Sequence, residues 1–171
     1  MYRIDLFESQ IEGKTWNFHL DERFFKRTGG WIEAGRIESF VTCLSAICDT
    51  FVFQIHSVGA VEVACDRCLS PLSMAIDTTD VLHVMLSDDE GDDGDVVAVS
   101  ADTGVLDMGQ PIYEFVALSL PVRCVHELGG CDASMIEEVR KYQIATGDDK
   151  EVKGMTGSCD PRWNVLKDIY F

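Results

Sequence analysis

Two thiols spaced two residues apart, in Cys65-Asp66-Arg67-Cys68, are where this chain concentrates its chemistry. The run before them, Val61-Glu62-Val63-Ala64, alternates in polarity and reads as a half-buried strand of period two. Leu69, Ser70 and Pro71 follow, and then a second apolar run. The pair therefore flanks a two-residue turn at a strand end. That spacing lets both sulfurs point at one centre, as in the knuckle of a structural zinc site. A redox Cys-x-x-Cys has the same spacing but opens a helix, whose N-terminus lowers the pKa of the first thiol. A strand before the pair and Pro71 with more strand pattern after it favour the knuckle. The rival chemistry is a thiol-disulfide oxidoreductase using Cys65 and Cys68, with Arg67 favouring a thiolate.

A knuckle supplies two ligands and a tetrahedral site needs four. Cys124, His126 and Cys131 lie on a glycine-containing loop after Pro121, and any two of them could complete the set. Cys68 and Cys124 are separated by 55 residues, far more than in a compact zinc ribbon. The site can form only if the helix between them packs on the sheet. The plainer reading is a loop held by reduced, metal-free cysteines. No serine lies in a nucleophile motif and Cys65 has no helix N-terminus, so the chain is expected to be non-enzymatic.

The elements that must position these residues are mostly strands. Residues 2 to 7 and 15 to 20 read as short strands. Asp21 can cap a helical turn, Glu22 to Arg27, ended by Gly29-Gly30. This turn interleaves Arg23, Lys26 and Arg27 with Phe24 and Phe25. It is the one RNA-facing patch the sequence offers, although the favoured reading is an amphipathic turn that buries its phenylalanines and solvates its cations. Ile37 to Ile47, Phe51 to Val58, Ala60 to Cys65, Leu72 to Ile76 and Val81 to Leu86 read as strands, with Cys48-Asp49-Thr50 and Gly59 as turns. Short connections predict antiparallel neighbours. Cys43 is expected in the core, His56 facing water, and His83 as a packing residue in its strand.

Residues 87 to 95 hold six acids, miss the calcium-loop pattern, and read as a mobile, self-repelling loop. Asp107 with Gln110 suggests a capping box opening a helix that Pro121 ends. Ser134 with Glu137 suggests another, opening a helix to about Ile144. Residues 146 to 158 read as a linker, and Asp160-Pro161 opens a last helix striped by Val165, Leu166, Ile169 and Tyr170. The expected fold is α+β: an antiparallel sheet with a few packed helices in a single domain. Residues 1–145 form the domain with the Cys/His site, and residues 146–171 form a linker and a C-terminal helix packing on it.

At 171 residues and 46% hydrophobic, the chain can bury a sizeable core. No apolar run is long enough to span a bilayer and no secretory leader opens the sequence, so a cytoplasmic protein is expected. Its 7 cysteines are then read as thiols or metal ligands rather than disulfides. Net charge is −16, with −3 on residues 1–76 and −13 on residues 77–171. So acidic a chain gains no broad counterion-release binding to nucleic acid. Its field would steer a basic protein instead.

Several stretches in order match one family pattern: Cys65-Asp66-Arg67-Cys68-Leu69; Ala117-Leu118-Ser119-Leu120-Pro121 after a capped helix; His126 and Cys131; and Asp160-Pro161-Arg162-Trp163 with Leu166. From about Gly59 to the C-terminus the chain resembles the YceD family, the large ribosomal RNA subunit accumulation proteins. The resemblance implies a metal ligand after Leu-Pro at His126 and a later one at Cys131. It thereby selects Cys65, Cys68, His126 and Cys131 as a zinc set, with Cys124 in reserve. It also implies a role in the synthesis, processing or stability of large-subunit (23S) ribosomal RNA during ribosome assembly, and no catalytic mechanism. Combined with the charge, it implies a basic large-subunit ribosomal protein or assembly intermediate as partner, with limited direct RNA contact.

Overall fold

The computed structural model describes residues 2–87 and 96–142. Alternating polarity does build strands here, and they are longer than the sequence pattern suggests. Three form the body of the sheet: β3 (Ile32–Ile47), β4 (Thr50–Ala64) and β5 (Pro71–Ser87). With β2 (Thr15–Leu20) and β6 (Val96–Ser100) they form a five-stranded sheet of order β2-β3-β4-β5-β6. A second sheet pairs β1 (Arg3–Asp5) with β7 (Val105–Asp107). The large sheet is antiparallel except at one edge, where β6 runs parallel to β5 from His83/Val96 to Ser87/Ser100. The expected antiparallel pairing holds from β2 to β5, and β6, which the sequence pattern did not reveal, adds a parallel edge.

One expected turn, at Gly59, and one gap between expected strands are absent because the ladder runs through both. Gly59 lies inside β4, opposite Ile37 on one side and Ile76 on the other. Its φ is 156°, and a Cβ there would fall 2.1 Å from the Arg36 carbonyl oxygen. The glycine is needed for close approach of two strands and not for a reversal. The polar run Asp77-Thr78-Thr79-Asp80 likewise stays in β5, opposite Val58 to Ile55. Its side chains find partners locally: Asp77 with His56 Nε2 at 3.0 Å, and the Thr78 hydroxyl donating to Asp80 at 2.8 Å. Backbone pairing therefore continues where side-chain hydrophobicity lapses. His83 is exposed on β5 and is not a packing residue, which corrects that expectation.

One face of the large sheet carries the core. Ile37, Val41 and Cys43 of β3 lie beside Phe53, Ile55, Val61 and Val63 of β4 and Leu82 and Val84 of β5, all buried. Ser39 and Ser57 interrupt this face and bond to each other at 2.8 Å, so neither buried hydroxyl lacks a partner. Helix α1 (Glu22–Thr28) is capped as expected, the Asp21 carboxylate accepting from Phe24 N at 3.0 Å. It buries Phe24 and Phe25 and leaves its cations outside, with Lys26 paired to Glu22.

Helix α2 (Gly109–Ser119) presents Ile112 and Val116 to the core. Asp107 accepts from Gly109 N at 2.9 Å, but the N-cap residue is Met108, whose side chain makes no capping bond, and Gln110 donates to Glu114, so the expected capping box does not form. Pro111 falls in the first turn, where its missing N–H costs nothing. Leu120, extended before Pro121, ends the helix.

Helix α3 (Ala133–Tyr142) starts from Asp132 rather than Ser134, because the Asp132 carboxylate accepts from Met135 N at 2.9 Å. All strands, α1 and α2 belong to one compact unit, Met1–Ile136; residues Glu137–Phe171 form a second. The acidic run 88–95, the linker read at 146–158 and the C-terminal helix lie outside the described residues. No helix among the described residues is long and apolar enough to cross a membrane.

Candidate metal centre

The turn between β4 and β5 holds the paired thiols. β4 ends at Ala64 and β5 begins at Pro71, so Cys65 and Cys68 sit at the tip of the sheet's longest hairpin. Cys65 N donates to Ser70 O at 3.0 Å and Leu69 N to Cys65 O at 2.8 Å, which closes the turn. Closing it forces Leu69 to a φ of 60°, an unusual conformation for a residue with a side chain. Both sulfurs point inward: Cys65 is 0% and Cys68 3% exposed.

The loop after α2 meets this turn through Asp66. Asp66 N donates to Cys124 O at 2.8 Å, and Cys124 N donates back to the Asp66 carboxylate at 2.6 Å. This reciprocal clasp fixes the loop's start against the knuckle. Two residues on, His126 Nδ1 lies 3.5 Å from Cys68 Sγ and 4.0 Å from Cys131 Sγ. Its other nitrogen, Nε2, lies 3.1 Å from the Pro71 carbonyl. A carbonyl can only accept, so Nε2 carries the proton and Nδ1 presents a lone pair to the sulfurs. Metal-ligating histidines are oriented by the same kind of outer contact.

One donor atom from each of Cys65, Cys68, His126 and Cys131 lies within 4.8 Å of all the others. Ordinary zinc–ligand bond lengths in a tetrahedron require edges of about 3.8 Å between sulfurs and about 3.6 Å between sulfur and nitrogen. The two His126 edges, 3.5 and 4.0 Å, straddle the sulfur–nitrogen value. The structure thus brings together the four residues singled out by sequence and resemblance.

Cys124, the reserve, stays outside the cluster. Its thiol turns toward Pro121 O at 3.5 Å, and burial, then the Asp66 charge, push its pKa up. Cys43 is a buried core thiol, as expected, and Cys48 is exposed. The residue sequence reasoning missed is Asp66. An acid inside the Cys-x-x-Cys reads as a solvated turn residue, and nothing local signals a partner 58 positions away.

The electrostatics favour thiolates where a cation would sit. Burial pushes the Cys65 thiol up, but the backbone N–H groups of Arg67, Cys68 and His126 outweigh it and hold the pKa at about 6. Cys68 is lowered first by the Asp132 N–H and then by that of Ser70, against its burial. Burial raises Cys131, and the neighbouring sulfurs raise it further. Hydrogen bonding to the Cys65 sulfur raises His126. Amides aimed at two sulfurs stabilise negative charge at the centre, and three sulfurs with one imidazole suit a soft-to-borderline divalent ion in tetrahedral geometry.

The family described as Large ribosomal RNA subunit accumulation protein YceD matches residues 53–170, a stretch that contains all four cluster residues and Asp66. No curated protein and no solved structure matches the chain.

Proposed function

The chain belongs to the YceD family, and we propose that it acts as a non-enzymatic factor in the synthesis, processing or stability of large-subunit ribosomal RNA. The observation that carries this reading is the family match, which spans the Cys/His cluster and most of the sheet. In this reading Cys65, Cys68, His126 and Cys131 hold a structural zinc ion. A bound zinc supplies charge neutralisation and a fourfold cross-link. The protein's own residues do the rest: the amides around Cys65 and Cys68 favour the ionised form of those sulfurs, Pro71 orients His126, and Asp66 holds the loop in place.

Charge supports a protein partner. With a net −16, broad contact with RNA is repulsive and contact with a basic large-subunit ribosomal protein is attractive. That binding should weaken with salt.

The oxidoreductase reading draws support from Cys65, whose pKa of about 6 suits a nucleophile. Its sulfur is fully buried, however, and faces His126 and Cys131 as well as Cys68. A substrate disulfide needs an open path to the attacking sulfur. Burial and a four-donor cluster favour metal over exchange chemistry.

The test is removal of the protein from cells that make it, with the ratio of large- to small-subunit ribosomal RNA as readout. The ratio should fall and be restored by the wild-type chain. Cys65→Ser with Cys68→Ser should restore it poorly, and the purified double variant should lose the roughly one zinc per chain expected of the wild type. An unchanged ratio would overturn the role. Zinc-free wild-type protein from reducing, zinc-replete purification would overturn the metal assignment.

A further inference from the structure

A cavity of about 450 Å³ opens where α1 meets the β1–β7 sheet, lined by Tyr2, Arg3, Asp21, Arg23, Phe24, Arg27 and Asp107. Three of the chain's 14 basic residues line this one cavity. In so acidic a protein, arginines would be expected to find carboxylates. Among the described residues none of the three forms an ion pair. Arg3 lies directly across the strand pair from Asp107 and still makes none. Arg23 and Arg27 stand four apart on α1, a like-charge spacing that destabilises a helix unless something anionic offsets it.

The two carboxylates are otherwise engaged. Asp21 accepts from Phe24 N and Asp107 from Gly109 N. The Arg27 guanidinium lies 6.0 Å from the centre of the Phe24 ring and has N–H groups to donate. Tyr2 packs edge-on against Phe24 and its hydroxyl donates to His19 O, so this wall is rigid.

We propose that this cavity binds one nucleotide unit of an RNA strand through its backbone phosphate, gripped by Arg3, Arg23 and Arg27. Three guanidinium groups against two carboxylates leave one net positive charge, which matches a monoanionic phosphodiester better than a dianionic phosphate. Guanidinium donors fit phosphate oxygens in pairs. The volume exceeds what a phosphate alone needs and suits a nucleotide. All the lining residues except Asp107 lie outside the stretch that matches the family. Choosing RNA over other phosphodiesters rests on the rRNA reading above. Lys26, on the same helix, is paired to Glu22 and takes no part.

The experiment titrates the full-length protein with a short single-stranded RNA over a range of salt. The expected slope of log K against log salt is about −0.7 to −1.4, that of one or two phosphates. Arg3→Gln and Arg27→Gln should each weaken binding about tenfold, one lost charged contact apiece. Lys26→Ala should leave it unchanged. Asp107→Asn should tighten it, a gain that loss of folding cannot mimic. Orthophosphate and an acidic peptide should compete poorly. Binding indifferent to Arg3, weaker binding in Asp107→Asn, or equal competition by orthophosphate or the acidic peptide would overturn the assignment. The rRNA reading would still stand, because the cellular RNA ratio tests it separately.

Discussion

Replacing Asp66 by alanine removes the side chain that ties the loop after α2 to the knuckle. Its carboxylate accepts from Cys124 N at 2.6 Å. A hydrogen bond to a charged group is worth about 1.5–3 kcal/mol. Asp66 is exposed, so water competes for it and the lower end, about 1.5 kcal/mol, applies. The bond from Asp66 N to Cys124 O survives the substitution, so the loop is loosened and not released. Because His126 and Cys131 ride on that loop, the ordering lost must be regained when metal binds. The cost appears as a zinc Kd raised about tenfold, the conversion of roughly 1.4 kcal/mol. Asp66→Asn keeps an acceptor without the charge and should fall between alanine and wild type. Competition against a chromophoric chelator at neutral pH measures the shift. Arg67→Ala, a neighbour whose backbone rather than side chain serves Cys65, is the control. An unchanged Kd in Asp66→Ala, beside the unchanged control, would refute the clasp as a positioning device.

Titrating zinc into metal-free protein at neutral pH should release fewer protons than three ordinary thiols would, because Cys65 sits at about 6 and Cys68 is lowered. The released protons should come chiefly from Cys131, whose thiol is raised, and calorimetry in two buffers of different ionisation heat counts them. As pH falls through about 6 Cys65 takes up a proton, so zinc affinity should fall more steeply below that pH than above it. Leu69, at φ 60° and 69% exposed, holds a conformation that costs an L-residue about 1–2 kcal/mol, of which glycine's entropy takes back about 0.5–1 kcal/mol. Leu69→Gly should therefore raise the melting temperature slightly and Leu69→Val lower it, and the reverse order in thermal denaturation would contradict the strain.

The strands were legible wherever one face is buried, as in Val61-Glu62-Val63, and illegible where neither face is. Asp77 to Asp80 carry no hydrophobic alternation, because β5 there keeps its place through backbone bonds to β4. Gly59 looks like punctuation in one dimension; its reason lies in Arg36 of the adjacent strand, which sequence alone cannot place. β6 and β7 are short and follow the acidic run, so neither offers enough residues for a period. The paired thiols were legible because spacing within a turn fixes geometry. The loop's choice between Cys124 and His126 was not legible from spacing, since each lies within reach of the knuckle. It depends on the Asp66 clasp, which occupies the Cys124 backbone and turns His126, two residues on, toward the sulfurs.

A small metal domain without its ion is usually unfolded, because the ion replaces the core it lacks. This chain is in a different position. Its sheet buries Phe25, Phe53, Ile37, Ile55 and Ile112 beside many smaller side chains, independently of the cysteines at the hairpin tip. Metal removal therefore acts first on the turn 65–70 and the loop that carries His126 and Cys131. With no cation present, two lowered thiols and a raised imidazole lie within reach of one another. The hairpin tip can then be ordered or loosened while the sheet, and the arginine-lined cavity beside α1, remain in place.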